Sequence, residues 1–241
     1  MPRSRVLLAS ACFVFAAVAV RLGFWQLDRL AERRASNAAA QSRRALPEIA
    51  LPTPLVADSL AGRPVRAAGR YDRAGEIVLR GQVFGGVPGV VLVTPLRLEG
   101  AGDTAVLVER GFVPAPDALT IPADASLDEP GRQEVHGLAF PIPDSGDAQP
   151  LERNGRLSLR RLTLEEVRSR LPYPVLNVLL RQTPDSSLPS FPRRRPAPPL
   201  DEGPHQLYAI QWFAFALTGV VFGGIFVRKG RDRWSDGQMD R

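Results

Sequence analysis

The stretch GPHQLYAIQWFAFALTGVVFGG (203–224) places a histidine, a tyrosine, a glutamine and a tryptophan at the start of an apolar run. At ~100° per helical residue, His205 and Trp212 lie about 20° apart and His205 and Tyr208 about 60° apart. Gln211 falls about 60° from Tyr208 and about 120° from His205. One helical face thus carries an imidazole and two aromatic rings over about two turns. Two kinds of chemistry fit it. Tyr and Trp at an apolar boundary make an interfacial anchor, with the histidine solvated just outside. A neutral imidazole beside flat aromatic walls can instead ligate haem iron. Gln211 argues for more than an anchor, because an amide a turn into an apolar medium needs a partner, from a neighbouring helix or a ligand.

Little other chemistry is open to this chain. A single cysteine (Cys12) and two histidines (His136, His205) allow no intramolecular disulfide, no cysteine-ligated zinc and no Cys-x-x-Cys-His haem attachment. Cys12 lies inside an apolar run. His136 in QEVHGLAF sits in a strand-like stretch and is expected to face solvent or the sheet. The sequence has no G-x-S-x-G elbow, H-E-x-x-H pair or phosphate-cradling glycine loop, so nothing in it supports an enzyme. The net charge of +6 is also not a nucleic-acid footprint. Residues 28–204 hold 23 basic and 22 acidic groups, and the excess lies beside the two apolar segments. That is a membrane pattern.

The second apolar segment, 207–227, carries no formal charge and is followed by Arg228, Lys229, Arg231 and Arg233. It is long enough to span a bilayer, which takes ~20 residues. The first runs over 6–20 and resumes after Arg21 through Leu22, Phe24, Trp25 and Leu27. Ala17-Val18-Ala19 resembles a signal-peptidase site, which would leave an exported enzyme cleaved after Ala19. The full span 6–27 favours an uncleaved helix, with the Arg21 stem reaching to the headgroups. The expected plan is a tail 1–5, helix 6–27, a domain 28–204, helix 205–227 and a tail 228–241. Both tails are cytoplasmic and the domain exported, although Arg29, Arg33, Arg34, Arg43 and Arg44 follow the first span against the charge rule.

The segment after the first span is helix-compatible and should continue that helix into solvent. Short β-type runs follow at 76–84, 89–98, 104–113 and 133–140, separated by turn residues at hairpin distances. Gly85-Gly86 reads as a turn and Gly223-Gly224 as a helix-packing point. LTLEEVRSRL predicts a short helix with Thr163 and Glu166 at capping-box spacing. Residues 173–182 can form another strand, and LPSFPRRRPAPPLDEGP an irregular extended tether. The expected fold is an α+β membrane protein, two transmembrane helices flanking a mainly antiparallel β domain of barrel or sandwich type with a short helix.

Five stretches taken together resemble the Surfeit locus protein 1 family of cytochrome c oxidase assembly factors. They are RLGFWQLDR (21–29), GRYDRAGEIVLRG (69–81), GVPGVVLVTPL (86–96), VLVERGFVP (106–114) and HQLYAIQWFAFA (205–216). They keep the family's order and cover most of the chain. The resemblance implies a multi-pass protein of the bacterial inner membrane with both termini cytoplasmic and the large domain periplasmic. It implies a non-enzymatic chaperone role in complex IV biogenesis, helping haem a into the catalytic subunit of cytochrome c oxidase. That subunit, haem A synthase and the lipid bilayer are the implied partners. His205 matches the family's proposed haem contact, with Tyr208, Gln211 and Trp212 as its neighbours, and Gly69 and Gly111 match glycines of the domain. A scaffold that assembles the respiratory complex without binding haem is the alternative.

Overall fold

The computed structural model describes residues 3–53, 56–122, 127–153 and 155–236, with side chains from Ser4 to Arg228. The chain forms two compact units, Met1–Ala39 with Leu200–Arg241, and Ala40–Pro199.

The first unit is built on helices α1 (Arg3–Arg44) and α4 (His205–Asp236). Both are long and apolar enough to cross a membrane. α1 runs unbroken past the predicted span, as the Ala- and Arg-rich composition after it implied. The pairing face of α1 carries Ala9, Cys12, Ala16, Ala19, Gly23, Gln26 and Leu30, all buried except the half-buried Cys12. On α4 the corresponding positions are His205, Ala209, Trp212, Ala216, Gly219 and Gly223. Steps alternate between three and four residues on both helices, the spacing of a coiled-coil seam. Side chains in the seam are mostly small because apolar lipid provides little drive for helices to associate. Close backbone approach and van der Waals contact must supply it. The pairing is antiparallel: Gly219 packs on Cys12 and Ala16, Gly223 on Phe13, and Gly23 on Phe213. Phe213 also meets Phe24 edge-on at 5.4 Å between ring centroids. Gly224, the second half of the predicted packing point, faces open space. Outside the seam, Leu7, Val14, Leu207 and Leu217 are exposed, as a lipid-facing surface requires.

The second unit is a five-stranded barrel with an attached sheet. Its strands are β1 (Ile49–Leu51), β2 (Pro64–Tyr71), β3 (Ile77–Phe84), β4 (Val87–Leu98), β5 (Ala105–Pro114), β6 (Arg132–Pro141), β7 (Leu151–Arg153), β8 (Arg156–Leu159) and β9 (Val175–Gln182). Two short helices, α2 (Ala57–Leu60) and α3 (Leu164–Arg170), complete it. The order β2-β6-β9-β5-β4 closes because β4 returns to pair with β2 through Gly69 to Tyr71. Beyond the barrel, β4 continues the sheet through β3, β8 and β7. Most pairings are antiparallel, while β1–β2, β3–β8 and β5–β9 are parallel. Gly85 and Gly86 both have positive φ and form the two-residue β3–β4 turn, where L-residues are disfavoured.

Three buried clusters fill the unit. Leu164 and Val167 of α3 pack with Ile77, Val91, Leu107, Phe112 and Leu159 on one side of the sheet. Val65, Ala67, Leu96, Val106, Val135 and Leu180 are among those inside the barrel. Val78, Val90, Leu92 and Val113 form a third group. The predicted capping box at α3 is not made. Thr163 has extended N-cap dihedrals, but its buried hydroxyl makes no hydrogen bond. The amides of Leu164 and Glu165 donate to the carbonyls of Pro143 and Asp144, so the loop after β6 takes two of the free donors at this helix end.

The proline-rich tether is irregular as predicted, but it does not hang free of the barrel. Arg193 bridges Phe112 of β5 through two backbone hydrogen bonds of 2.8 Å. Arg194 is buried against Glu129 and Gln182, and Arg195 reaches Glu109. The Arg193 bridge depends on Gly111, whose φ of +145° disfavours any side chain. A Cβ there would also lie 2.6 Å from the Arg193 carbonyl carbon. Gly111→Ala is therefore expected to detach the tether and cost about 3 kcal/mol. Limited proteolysis of the full chain should show new cleavage near 189–196, and an unchanged pattern would refute the assignment.

Candidate functional site

α4 begins immediately after Gly203-Pro204. Gly203 turns the chain at φ +68°, and Pro204 starts the helical hydrogen bonding by accepting from the Tyr208 amide at 3.1 Å. His205 thus occupies the first turn, and the residues just before it are fixed to α1. Arg33 Nε and Asn37 Nδ2 donate to the Asp201 carbonyl at 3.0 and 2.8 Å. Arg34 holds Glu202 through two bonds of 2.8 Å, which keep the Glu202 carboxyl below its usual pKa. Exposed ion pairs contribute little to stability singly. Together these contacts fix the height at which His205 meets α1. They also employ two of the arginines that sit awkwardly with the charge rule.

The four predicted site residues divide into two pairs. His205 and Trp212 are half-buried on the seam. The Trp212 indole meets Phe215 edge-on at 5.8 Å. Tyr208 is 47 % exposed and Gln211 is exposed, so both face away from α1. Gln211 makes no hydrogen bond among the described residues. The buried amide of the helix pair is a different one, Gln26 of α1, only 8 % exposed. Its Oε1 lies 2.9 Å from Nδ1 of His205. Nε2 of His205 makes no hydrogen bond among the described residues. Trp25, beside Gln26, is 41 % exposed and carries the Arg29 guanidinium 5.8 Å from its ring centroid.

A half-buried imidazole with one nitrogen engaged and the other free can offer a single ligand to a metal centre. It cannot build an ion site alone. Among the described residues no three His, Cys, Asp or Glu side chains converge as ligands. The set suits a planar group that brings its own equatorial donors, such as a haem, better than a bare ion. His136 belongs to the other unit. Its ring is exposed on β6, as predicted, and its Nδ1 is 2.9 Å from Glu48.

The SURF1 family model matches residues 13–217, from within α1 to within α4 and including every residue of the site. This chain belongs to the SURF1 family. The family is one of cytochrome c oxidase assembly factors. Among curated relatives, the chain is similar to a SURF1-like protein of Rickettsia felis. The two are 27 % identical over 88 % of this chain and 92 % of that one. A SURF1-like protein of Rickettsia bellii is 28 % identical over 90 % of this chain and 89 % of that one. The match takes in most of α1, the whole β domain and the first part of α4.

Two features of this SURF1-family protein escaped the sequence reading. Gln26 lies in the quoted stretch RLGFWQLDR, yet its partner is 179 residues away. The second is a buried charge network in VLVERGFVP. Arg110 is fully buried, with Nη1 3.2 Å from Glu76 and Nη2 2.7 Å from Glu129. Arg110 Nη2 also donates to the Leu127 carbonyl. Glu109, one residue earlier, is buried against Arg181 and Arg195. The available signal was the adjacent charge pair Glu109-Arg110 inside an otherwise apolar strand.

Proposed function

We propose that this protein assists the insertion of haem a into the catalytic subunit of cytochrome c oxidase, holding the haem transiently at His205. The carrying observation is the His205 ring itself, anchored through Nδ1 and unpartnered at Nε2 among the described residues. In this reading haem a is cargo, and His205 offers one axial ligand. A single protein ligand leaves the opposite iron face free for an acceptor, so the contact can exchange. Trp212 supplies an aromatic wall on the seam side. Tyr208 and Gln211, turned outward, contact the haem edge or the receiving subunit. The role is non-enzymatic. The catalytic subunit is the proposed partner, haem A synthase the proposed donor, and the bacterial inner membrane the location. Both tails would be cytoplasmic and the β domain periplasmic. The employment of Arg33, Arg34 and Arg44 in contacts with 198–202 supports export of a loop that carries so many arginines.

One observation favours a second reading. Gln211 is an exposed amide on an apolar helix, and a partner helix could satisfy it without any haem. The protein would then be an assembly scaffold. A titration of the detergent-purified full chain with haem a separates the two. The haem reading expects a saturable Soret shift in the wild type, weakened by about tenfold or more in His205→Ala. Oxidase assembly in cells should fall with it. A His205→Ala protein that binds haem normally and supports assembly, beside a Gln211→Leu protein that does not, would establish the scaffold.

A further inference from the structure

Eight of the thirteen named seam positions of α1 and α4 are alanine or glycine, and Gln26 is the one amide among them. A buried amide in an apolar setting is costly unless it is hydrogen-bonded. Leucine, found at the next seam position, Leu30, would fill the space at no such cost. What distinguishes Gln26 is its partner, since its side-chain oxygen meets Nδ1 of His205 at 2.9 Å. A carbonyl oxygen can only accept, so Nδ1 must carry the proton. In a neutral ring that leaves Nε2 with its lone pair, and Nε2 is the nitrogen without a hydrogen-bond partner among the described residues. The acidic groups just before His205 do not compete for the ring. Asp201 and Glu202 are held by Arg33 and Arg34.

We propose that Gln26 is a positioning residue for His205. Its side-chain carbonyl holds the imidazole as the Nδ1–H tautomer, so that Nε2 faces outward as the iron ligand. The inference rests on the haem reading above and extends it to the opposite helix. Imidazole ligates only through an unprotonated nitrogen. A fixed acceptor on the other nitrogen sets the tautomer, orients the ring and raises its basicity towards a metal. The alternative is that the Gln26–His205 bond only ties two helices together. A tie of that kind would give the same tautomer, but its loss would leave haem a affinity unchanged as long as the helices stay paired.

The tautomer can be read without any haem. The chain has only two histidines, so nitrogen-15 spectra of the full-length protein in detergent are assigned by one further variant, His136→Gln. The expected result is a neutral His205 protonated at Nδ1. In Gln26→Leu the ring should relax to the tautomer mixture of an unconstrained side chain. Its haem a affinity should fall about tenfold, the lower end of the range for lost outer-shell partners. Gln26→Glu, which keeps an acceptor at the same place, should restore both. If Gln26→Leu does not fold, the wild-type spectrum and Gln26→Glu still decide the matter. Protonation at Nε2 in the wild type overturns the proposal. So does a Gln26→Leu protein with unchanged tautomer and haem affinity, and in that case the haem reading survives. A wild-type protein that takes up no haem overturns both, whichever tautomer it shows.

Discussion

Replacing Arg110 with methionine is expected to cost the β domain about 3–5 kcal/mol, the usual loss when one partner of a buried ion pair is removed. The reason lies in a bulge. Leu92 of β4 pairs with Gly111 and Val93 with Glu109, so Arg110 is the extra residue of β5. A one-residue insertion reverses which face later side chains take. Ala105 and Leu107 lie in the cluster with α3, two residues apart, and after the bulge Phe112 rejoins that same cluster out of phase. Arg110 at the crossover is buried among Glu76, Glu129 and the Leu127 carbonyl, with its guanidinium 4.9 Å from the Tyr71 ring centroid. Methionine fills similar volume but leaves two buried carboxylates without their main partner. Thr94 still donates to Glu76 at 2.9 Å, and Arg194 to Glu129 at 2.6 Å, so the loss is partial. Denaturant unfolding of the full chain in detergent should show the drop. Adding Glu76→Gln and Glu129→Gln should recover part of it, because neutral amides are cheaper to bury than unpaired charges. A single variant as stable as the wild type would mean the network holds nothing together.

The second large effect is expected at Gly69, where the barrel closes. Gly69 of β2 pairs with Leu98 on one side and Gln133 of β6 on the other. A Cβ at this position would lie 2.8 Å from the carbonyl carbon of Arg97, closer still to its oxygen, and 3.2 Å from Cγ of Leu96. The first obstacle is backbone of the neighbouring strand, which cannot rotate away as a side chain would. Gly69→Ala must therefore separate β2 from β4 along the three-residue pairing that makes the barrel a barrel. A cost of about 3 kcal/mol, in the upper range for single substitutions, corresponds to a Tm lower by roughly 6–12 °C for a chain of this size. Amide exchange should accelerate first at Gly69 to Tyr71 and Leu96 to Leu98. The β4–β5 hairpin should stay protected. Uniform acceleration over the whole domain would place the damage elsewhere.

Local pattern already shows much of this protein. The uncharged run 207–227 and the run 6–27 are long enough to cross a membrane, and both are helices. The strands predicted at 76–84, 89–98, 104–113 and 133–140 all exist, with ends shifted by at most two residues. Valine-rich runs between turn residues carry their own signal. β2 escaped because PVRAAGRY has few β-branched residues and two arginines, and only its pairing on both sides makes it a strand. The capping box is not made either, and loop carbonyls distant from the motif take two of the α3 amides. At the site, His205, Tyr208, Gln211 and Trp212 were legible as a group, but their division was not. Beyond Gln206 the residues of α4 around them are apolar or aromatic, so hydropathy cannot say which side meets α1.

The sequence by itself determined which segments form long apolar helices and that a β domain lies between them in the chain. Those properties depend on runs of neighbouring residues, and neighbours in a chain are always neighbours in space. Only the tertiary structure decided that Gln26 meets His205, that Arg110 is buried at a bulge, and that the proline-rich tether is fastened to β5. Each of these joins residues distant in sequence, through hydrogen bonds that depend on a register of a few ångströms. That register is set jointly by small residues in one seam and glycines at crowded backbone crossings, and no single stretch of the chain contains it.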